Sequence, residues 1–351
     1  MPLDSGGAPI LVGLLHDFPQ ADGGASFEAA CRLGMDEAGA GGRIDRPVHF
    51  ITRQARGLPL GTAHEVEAVF TELAGNGVVA IIGPSISDNA LVVKTVADGL
   101  GLPTINYSGG EQCRGEFLFH YQVGSLAEEP VVLVEHLLAE GFSTVAAVYD
   151  RTPVGRGYMD AFETAAARAG VDLVARAPIS PIAEDASAVV TRLQTPGPEA
   201  LVYLGLGVAS RTLALAVHDA DWKVPVAANS ALMFGYANRD WRAGFEGWVY
   251  VDTVADDNPT RERLRELSRH SAAGPLGVAA YDMGRLLGEA IARADHLTRS
   301  GLRHGLESVK RMPAASGHPG TTMGFGPWDH AALKGPFLVL REWRDGHTVQ
   351  R

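Results

Sequence analysis

Two short polar runs carry the residues best suited to chemistry. Ser85 and Ser87 follow Gly83-Pro84 directly after the apolar stretch Ala80-Ile81-Ile82, and Tyr107, Ser108, Gly109 and Gly110 follow Pro103-Thr104-Ile105-Asn106. Each run reads as a buried strand ending in a polar turn at the mouth of a helix. Hydroxyls and backbone N–H groups at helix N-termini stabilise an anion or a carbonyl oxygen. The chemistry they suggest is therefore recognition of a carboxylate or amide. In an open parallel sheet, ligands sit beyond the carboxyl ends of the strands, so two adjacent turns of this kind supply half of a small-molecule site. Ser85 and Ser87 can also cap the helix that follows, a role worth ~1 kcal/mol, and the two roles are compatible.

Bond-making chemistry finds no comparable support. The sequence holds no Gly-x-Ser-x-Gly elbow, no Walker loop and no His-Glu-x-x-His helix. Gly205-Leu206-Gly207 resembles the start of a dinucleotide loop, but Ser210 stands where the third glycine belongs. No Cys/His spacing resembles a zinc site. Neither a catalytic residue, a metal nor a cofactor is expected. With 41 acidic against 30 basic residues the net charge is −11, which argues against nucleic acid, whose phosphates demand a basic patch. No run approaches the ~20 apolar residues of a membrane span. Met1 to Pro9 has no basic region before an apolar stretch. This leaves a periplasmic or cell-surface place if a leader was removed, or a cytoplasmic one if the chain is complete. Cys31 and Cys113 are expected to be unpaired thiols.

The elements that must position these turns alternate regularly. Ile10–Leu15, Val48–Ile51, Val78–Ile82 and Thr104–Asn106 read as strands, with helices near Ser26–Ala38 (Ser26 as N-cap), Ala63–Ala74 and Asn89–Gly99 between them. The rhythm restarts after Tyr121. Strands are expected at Thr144–Tyr149, Val171–Ala175, Ala200–Leu204 and Val224–Ala228, and helices near Glu128–Glu140, Gly157–Ala169, Ala186–Leu193 and Arg211–Ala220. Such βαβ series favour parallel, right-handed, doubly wound layers. The last third breaks the pattern, with helices at Pro259–His270, Gly277–Leu297 and Gly301–Val309, then extended segments at Thr321–Phe325 and Phe337–Glu342. The economical arrangement returns these helices to the first layer and the final strand to the second. The expected fold class is α/β: two doubly wound parallel-sheet lobes, 1–122 with 253–327 and 123–252 with 328–351. Several crossovers form a hinge, and a ligand cleft lies between the lobes.

Five motifs in order resemble the type I periplasmic-binding-protein superfamily, in particular its leucine/isoleucine/valine- and amide-binding receptors. They are the opening strand Ile10–Leu15, Gly83-Pro84-Ser85-Ile86-Ser87, Asp150-Arg151-Thr152-Pro153-Val154-Gly155, Tyr281-Asp282-Met283-Gly284-Arg285-Leu286-Leu287, and Gly320-Thr321-Thr322-Met323-Gly324-Phe325 with Lys334-Gly335-Pro336-Phe337. Tyr107-Ser108-Gly109-Gly110-Glu111 leans towards the amide and urea branch. The resemblance implies a solute-binding receptor of an ABC importer, partnered by a permease, that closes over a small ligand. It also allows a ligand-sensing regulator in the same fold that acts on a protein partner. By motif position Ser87, Ser108, Gly109 and Gly110 hold the ligand's head, with Ser85, Tyr107 and Phe18 nearby and Val154, Gly207 and Ser230 on the second lobe. His16 and Asp17 are further candidates in the first turn.

The chain departs from that pattern where an amino acid would be recognised. Val154 replaces an aromatic, Gly205-Leu206-Gly207 lacks a tyrosine found in many relatives, and Asn229-Ser230-Ala231 holds no acid for an ammonium. An α-ammonium buried without a carboxylate partner is costly. A ligand with a carboxylate or amide head and an apolar or aromatic body is expected instead of a plain branched-chain amino acid.

Overall fold

The computed structural model describes residues 7–18, 22, 24–269 and 274–351. Much of the Gly-rich turn after His16 and the expected helix end at His270 lie outside them. The chain begins β1 (Ile10–His16), α1 (Ala25–Gly39), β2 (Val48–Gln54), α2 (Ala63–Gly75), β3 (Ala80–Ile82), α3 (Ser87–Leu100), β4 (Thr104–Ser108) and β5 (Leu118–Gln122). It continues with α4 (Glu129–Ala139), β6 (Thr144–Asp150), α5 (Pro153–Ala169), β7 (Asp172–Ile179), α6 (Ser187–Gln194), β8 (Ala200–Leu204) and α7 (Ser210–Asp219). Then come β9 (Val226–Ala228), the short α8 (Phe234–Ala237) and β10 (Val249–Asp252). The last third contains α9 (Pro259–Leu267), α10 (Pro275–Arg293), α11 (Arg299–Ser308), β11 (Met312–Pro313), β12 (Thr322–Met323), β13 (Leu333–Lys334), β14 (Val339–Arg344) and β15 (His347–Gln350).

Two compact units result, Met1–Val123 with Val254–Phe337 and Gly124–Thr253 with Leu338–Arg351. The chain therefore passes from one to the other at three points. The last passage falls ten residues later than residue 328, where the sequence reading had placed it. Residues 328–337 stay with the first unit because β13 pairs antiparallel with β12. In addition, the His120 backbone donates to His330 O (2.8 Å) and accepts from Ala332 N (2.8 Å).

The first unit is built on a parallel sheet in the order β2-β1-β3-β4-β5. Leu15, Ile81, Phe70, Leu73, Val93 and Ala97 pack α2 and α3 onto it as one buried cluster. The helices α1 and α10 touch backbone to backbone: a methyl on Gly34 would lie 2.1 Å from Tyr281 O, and one on Gly284 would lie 2.1 Å from Cys31 O. Asp282, next to that crossing, is fully buried. It accepts from Tyr121 Oη of β5 (2.8 Å), Ala315 N (2.8 Å) and Arg285 Nη1 (3.2 Å). The Tyr-Asp motif of the sequence is thus a tie between β5, α10 and the segment after β11.

The second unit has the order β15-β14-β10-β9-β8-β6-β7. The five strands β7 to β10 are parallel, and β14 and β15 add an antiparallel edge. Successive side chains of a strand alternate between faces, and both faces here are apolar, as parallel sheets require. Val145, Ala147, Val202, Leu204 and Val251 meet α4 and α5. Their neighbours Ala146, Val148, Leu201, Tyr203 and Tyr250 meet α6, α7 and Trp343.

Several local differences have clear causes. Helix α1 is not capped by Ser26; the Asp22 carboxylate does so from outside, accepting Ser26 N (2.8 Å) and Gly24 N (3.0 Å). Those bonds hold the Asp22 carboxyl below its usual range. Helix α5 begins four residues before Gly157, because Thr152 accepts from Gly155 N (2.9 Å) and Pro153 fits the first turn. Strands β5 and β10 were missed. Buried His120 and Gln122 break the apolar signature of β5, and β10 is only four residues long. Gly34→Ala must push apart two helix backbones and should lower the unfolding free energy by about 1–3 kcal/mol, measured by urea denaturation; an unchanged midpoint would contradict the backbone contact.

Candidate functional site

At the carboxyl end of the first sheet, Asp17 follows β1 and is turned under the N-terminus of α3. Its carboxylate accepts Ser85 N and Ser85 Oγ on one oxygen, both at 2.7 Å, and Ile86 N (2.9 Å) and Asn89 Nδ2 (2.8 Å) on the other. The cap of α3 is therefore Asp17, and neither serine hydroxyl serves the helix as a cap. Ser85, half-buried, is spent on Asp17. Ser87 opens α3 and is buried. No group among the described residues bonds its hydroxyl. Its carbonyl accepts from Cys113 Sγ at 3.3 Å, and a methyl on Gly110 would lie 3.3 Å from its Oγ. The two polar turns are thus in contact.

The second turn is held from below. Asn106 Nδ2 donates to Cys113 O (2.8 Å) and Phe119 O (2.7 Å), while its Oδ1 accepts from Ser108 Oγ (2.8 Å). The Ser108 hydroxyl consequently faces inward, contrary to its expected place on the ligand, and the main chain of Gly109 and Gly110 is what this turn offers. Burial pushes His120 down to about 3, so its ring is neutral. Arg114 Nε donates to Nδ1 (3.2 Å), which leaves the proton on Nε2 to donate to Ser108 O at 2.8 Å. Tyr107 is buried and stacks on Phe27 with ring centroids 5.0 Å apart. His16 meets the same Phe27 edge-on at 5.2 Å. Both His16 ring nitrogens are buried without a hydrogen-bond partner, and burial lowers its pKa. Phe18 is half-buried beside Asp17. Cys31 and Cys113 are both buried free thiols.

The second unit repeats the device. Asp150, at the end of β6, accepts Tyr203 Oη (2.8 Å) and Leu206 N (2.7 Å). Asn229 brackets Gly205 through its N (3.2 Å) and O (2.9 Å). These two side chains fix the turn Gly205–Gly207, where Gly207 has φ +94°, a conformation that excludes the tyrosine of other relatives without strain. Ser230, after β9, meets a carboxylate that the sequence did not place there. Glu129 accepts Ser230 N (2.6 Å), Ser230 Oγ (3.2 Å), Ser125 N (2.6 Å) and Tyr158 Oη (2.8 Å). Burial raises Glu129 to about 7, against the pull of these donors.

The comparisons agree with this architecture. A family model described as periplasmic binding protein matches residues 9–346. The chain belongs to that family. Among curated relatives, a Leu/Ile/Val-binding protein homolog 3 of Brucella melitensis is 25% identical over 290 residues, 79% of this chain and 76% of the relative. A periplasmic binding protein type 1 from Bordetella pertussis superposes with a TM-score of 0.82 at 18% identity, covering 98% of this chain and 100% of the other. A solute-binding protein of R. palustris solved with 4-hydroxybenzoate gives 0.80 at 16%, covering 98% and 96%. The family is one of solute-binding proteins rather than enzymes.

In this binding protein the expected site residues fall into distinct groups. Ser87, Gly109 and Gly110 meet at the head of the first sheet; Ser85, Ser108 and Tyr107 support them from the interior. Ser230 and Gly207 stand at strand ends of the second sheet. Val154 does not: it is packed into the core with Leu133, Tyr158 and Phe162, because the Thr152 cap sets the phase of α5. Asp17, His120 and Glu129 carry the positioning. A buried polar residue at a strand end was the available signal, visible for Asp17 but not for Glu129, 101 residues before Ser230.

Asp17→Ala strips α3 of its cap and should cost about 2 kcal/mol of stability, read by chemical denaturation. Glu129→Gln should cost ~1–3 kcal/mol, because each carboxylate oxygen receives a backbone N–H and an amide nitrogen must face one of them. A melting curve matching the parent's would show that those N–H groups are not aimed at Glu129.

Proposed function

We propose that this protein is the solute-binding receptor of an ABC importer, handing a permease a small ligand with a carboxylate or amide head and an apolar or aromatic body. The observation that carries the ligand class is Glu129. An amino-acid ligand needs an acid with lone pairs to spare for its ammonium, and the acid beside Ser230 already accepts four hydrogen bonds. The head of the ligand is assigned to Ser87 with the main chain of Gly109 and Gly110, where an unengaged hydroxyl meets the first turn of α3. The 4-hydroxybenzoate held by the R. palustris protein supports a carboxylate on an aromatic body. The name of the Brucella relative speaks for the alternative that the test must exclude.

A thermal-shift screen of the purified protein against leucine, valine, aliphatic amides, urea, benzoate and 4-hydroxybenzoate decides between them, since a ligand of the folded state raises the melting temperature. Acids or amides are expected to stabilise while leucine and valine stay silent; a strong shift with leucine alone would defeat the ligand class. Ser87→Ala should weaken binding of the stabilising compound by about 1–3 kcal/mol in calorimetric titration. An unchanged Kd removes Ser87 from the site.

A further inference from the structure

The pairing of Glu129 with Ser230 has a directional property. Glu129 is fully buried, whereas Ser230 keeps 9% of its surface exposed at the carboxyl end of β9, the end at which open sheets meet ligands. Two of the four donors to Glu129, Ser230 N and Ser125 N, are backbone N–H groups that can only donate. The other two, Ser230 Oγ and Tyr158 Oη, are hydroxyls that can reverse. While Glu129 is a carboxylate, the Ser230 hydroxyl hydrogen points inward at Oε1, and its lone pairs face out. Those lone pairs repel an anionic ligand group.

We propose that Glu129 sets the direction of the Ser230 hydroxyl, so that an anionic ligand group binds Ser230 together with one proton taken up by Glu129. The inference rests on Ser230 touching the ligand, as in the function proposed above. A solvent proton bonds to Oε1 of Glu129, and the new O–H donates to Ser230 Oγ. The Ser230 hydroxyl hydrogen turns outward to the ligand carboxylate. Both backbone N–H bonds survive, because a carboxylic acid keeps an acceptor lone pair on each oxygen. No other bond is made or broken.

The surroundings leave this pair to itself. From α5 the titratable group facing Glu129 is Tyr158, whose hydroxyl burial and hydrogen bonding already occupy. Strand β9 offers none, and Asp252 of β10 is bonded elsewhere, to Thr253 N (2.6 Å) and Tyr236 Oη (2.9 Å). No arginine, lysine or histidine among the described residues bonds Glu129. Its position near 7 places the exchange in the physiological range.

The test is calorimetric titration of the full chain with 4-hydroxybenzoate, and with benzoate as the check, from about pH 6 to about pH 9 in two buffers of different ionisation enthalpy. Above neutrality the parent should take up close to one proton per ligand, and affinity should fall about tenfold per pH unit. Ser230→Ala should abolish the uptake and flatten the profile, whereas Tyr158→Phe should keep both. Binding without proton uptake overturns the proposal and leaves the ligand class intact; loss of uptake in Tyr158→Phe but not in Ser230→Ala overturns it by routing the proton to the phenol. If neither carboxylate binds, the proposed function fails, and the ligand-free protein still decides the pairing. Carbon-13 NMR of labelled glutamate carboxyls, with Glu129 assigned through its own backbone, should show its midpoint rising in Ser230→Ala as a donor to the carboxylate is lost. A midpoint that stays put removes Ser230 from Glu129 and sinks the inference.

Discussion

A carboxylate withdrawn from water persists only where hydrogen-bond donors replace its hydration, and the functional end of each sheet is organised around that requirement. Asp17 meets it with four donors, three of them from the turn between β3 and α3. In doing so it decides the shape of that turn. Ser85 is drawn inward as a donor, Ile86 becomes the cap position, and Ser87 is left as the first residue of the helix with an unengaged hydroxyl. Without the acid after β1, the two backbone N–H groups would be orphans at a buried helix end, and nothing would fix which serine faces outward.

The same logic runs through the second unit with different partners. Asp150 collects a tyrosine hydroxyl and the Leu206 N–H, and Glu129 gathers the starts of α4, α5 and the turn after β9. Each acid sits where a strand ends and a helix begins, so the polar groups left over by secondary structure are bonded to one another and not to apolar neighbours. The apolar layers then need only fill space. Alternation of Val145 and Ala147 against Ala146 and Val148 delivers two cores from one strand.

The fold was legible because its signals are local and repeated. Buried apolar strands, glycine-terminated helices and five motifs in family order need no knowledge of distant partners. The site was legible only as far as its own turns. Ser87, Gly109 and Gly110 were found because they lie beside a strand. The inward rotation of the Ser108 hydroxyl depends on Asn106, whose role as its acceptor follows from close packing rather than from spacing. Val154 matched a family position yet faces the core, since a cap one residue to either side would change the helix phase. Glu129 was out of reach altogether. Its partner Ser230 lies at the far end of the unit in sequence, and an acid near the start of a helix reads as a dipole partner in solvent. The hairpin turn Asp345-Gly346 between β14 and β15 was readable in principle, with both residues at positive φ.

The absence of an acid in Asn229-Ser230-Ala231 was read as an empty ammonium site, and the structure gives that reading a different basis. An acid is present in space, but it is saturated. Four donors on one carboxylate leave no lone pair well aimed at a fifth, and full burial makes an added cation partner expensive to desolvate. Charge at this point is therefore internal, spent on holding Ser230, and what a ligand can meet is the serine and not the acid. A hydroxyl, unlike a carboxylate, has no fixed polarity; the group behind it supplies one. Recognition at this end of the second sheet thus depends less on the residue a ligand would touch than on the protonation of the residue beneath it.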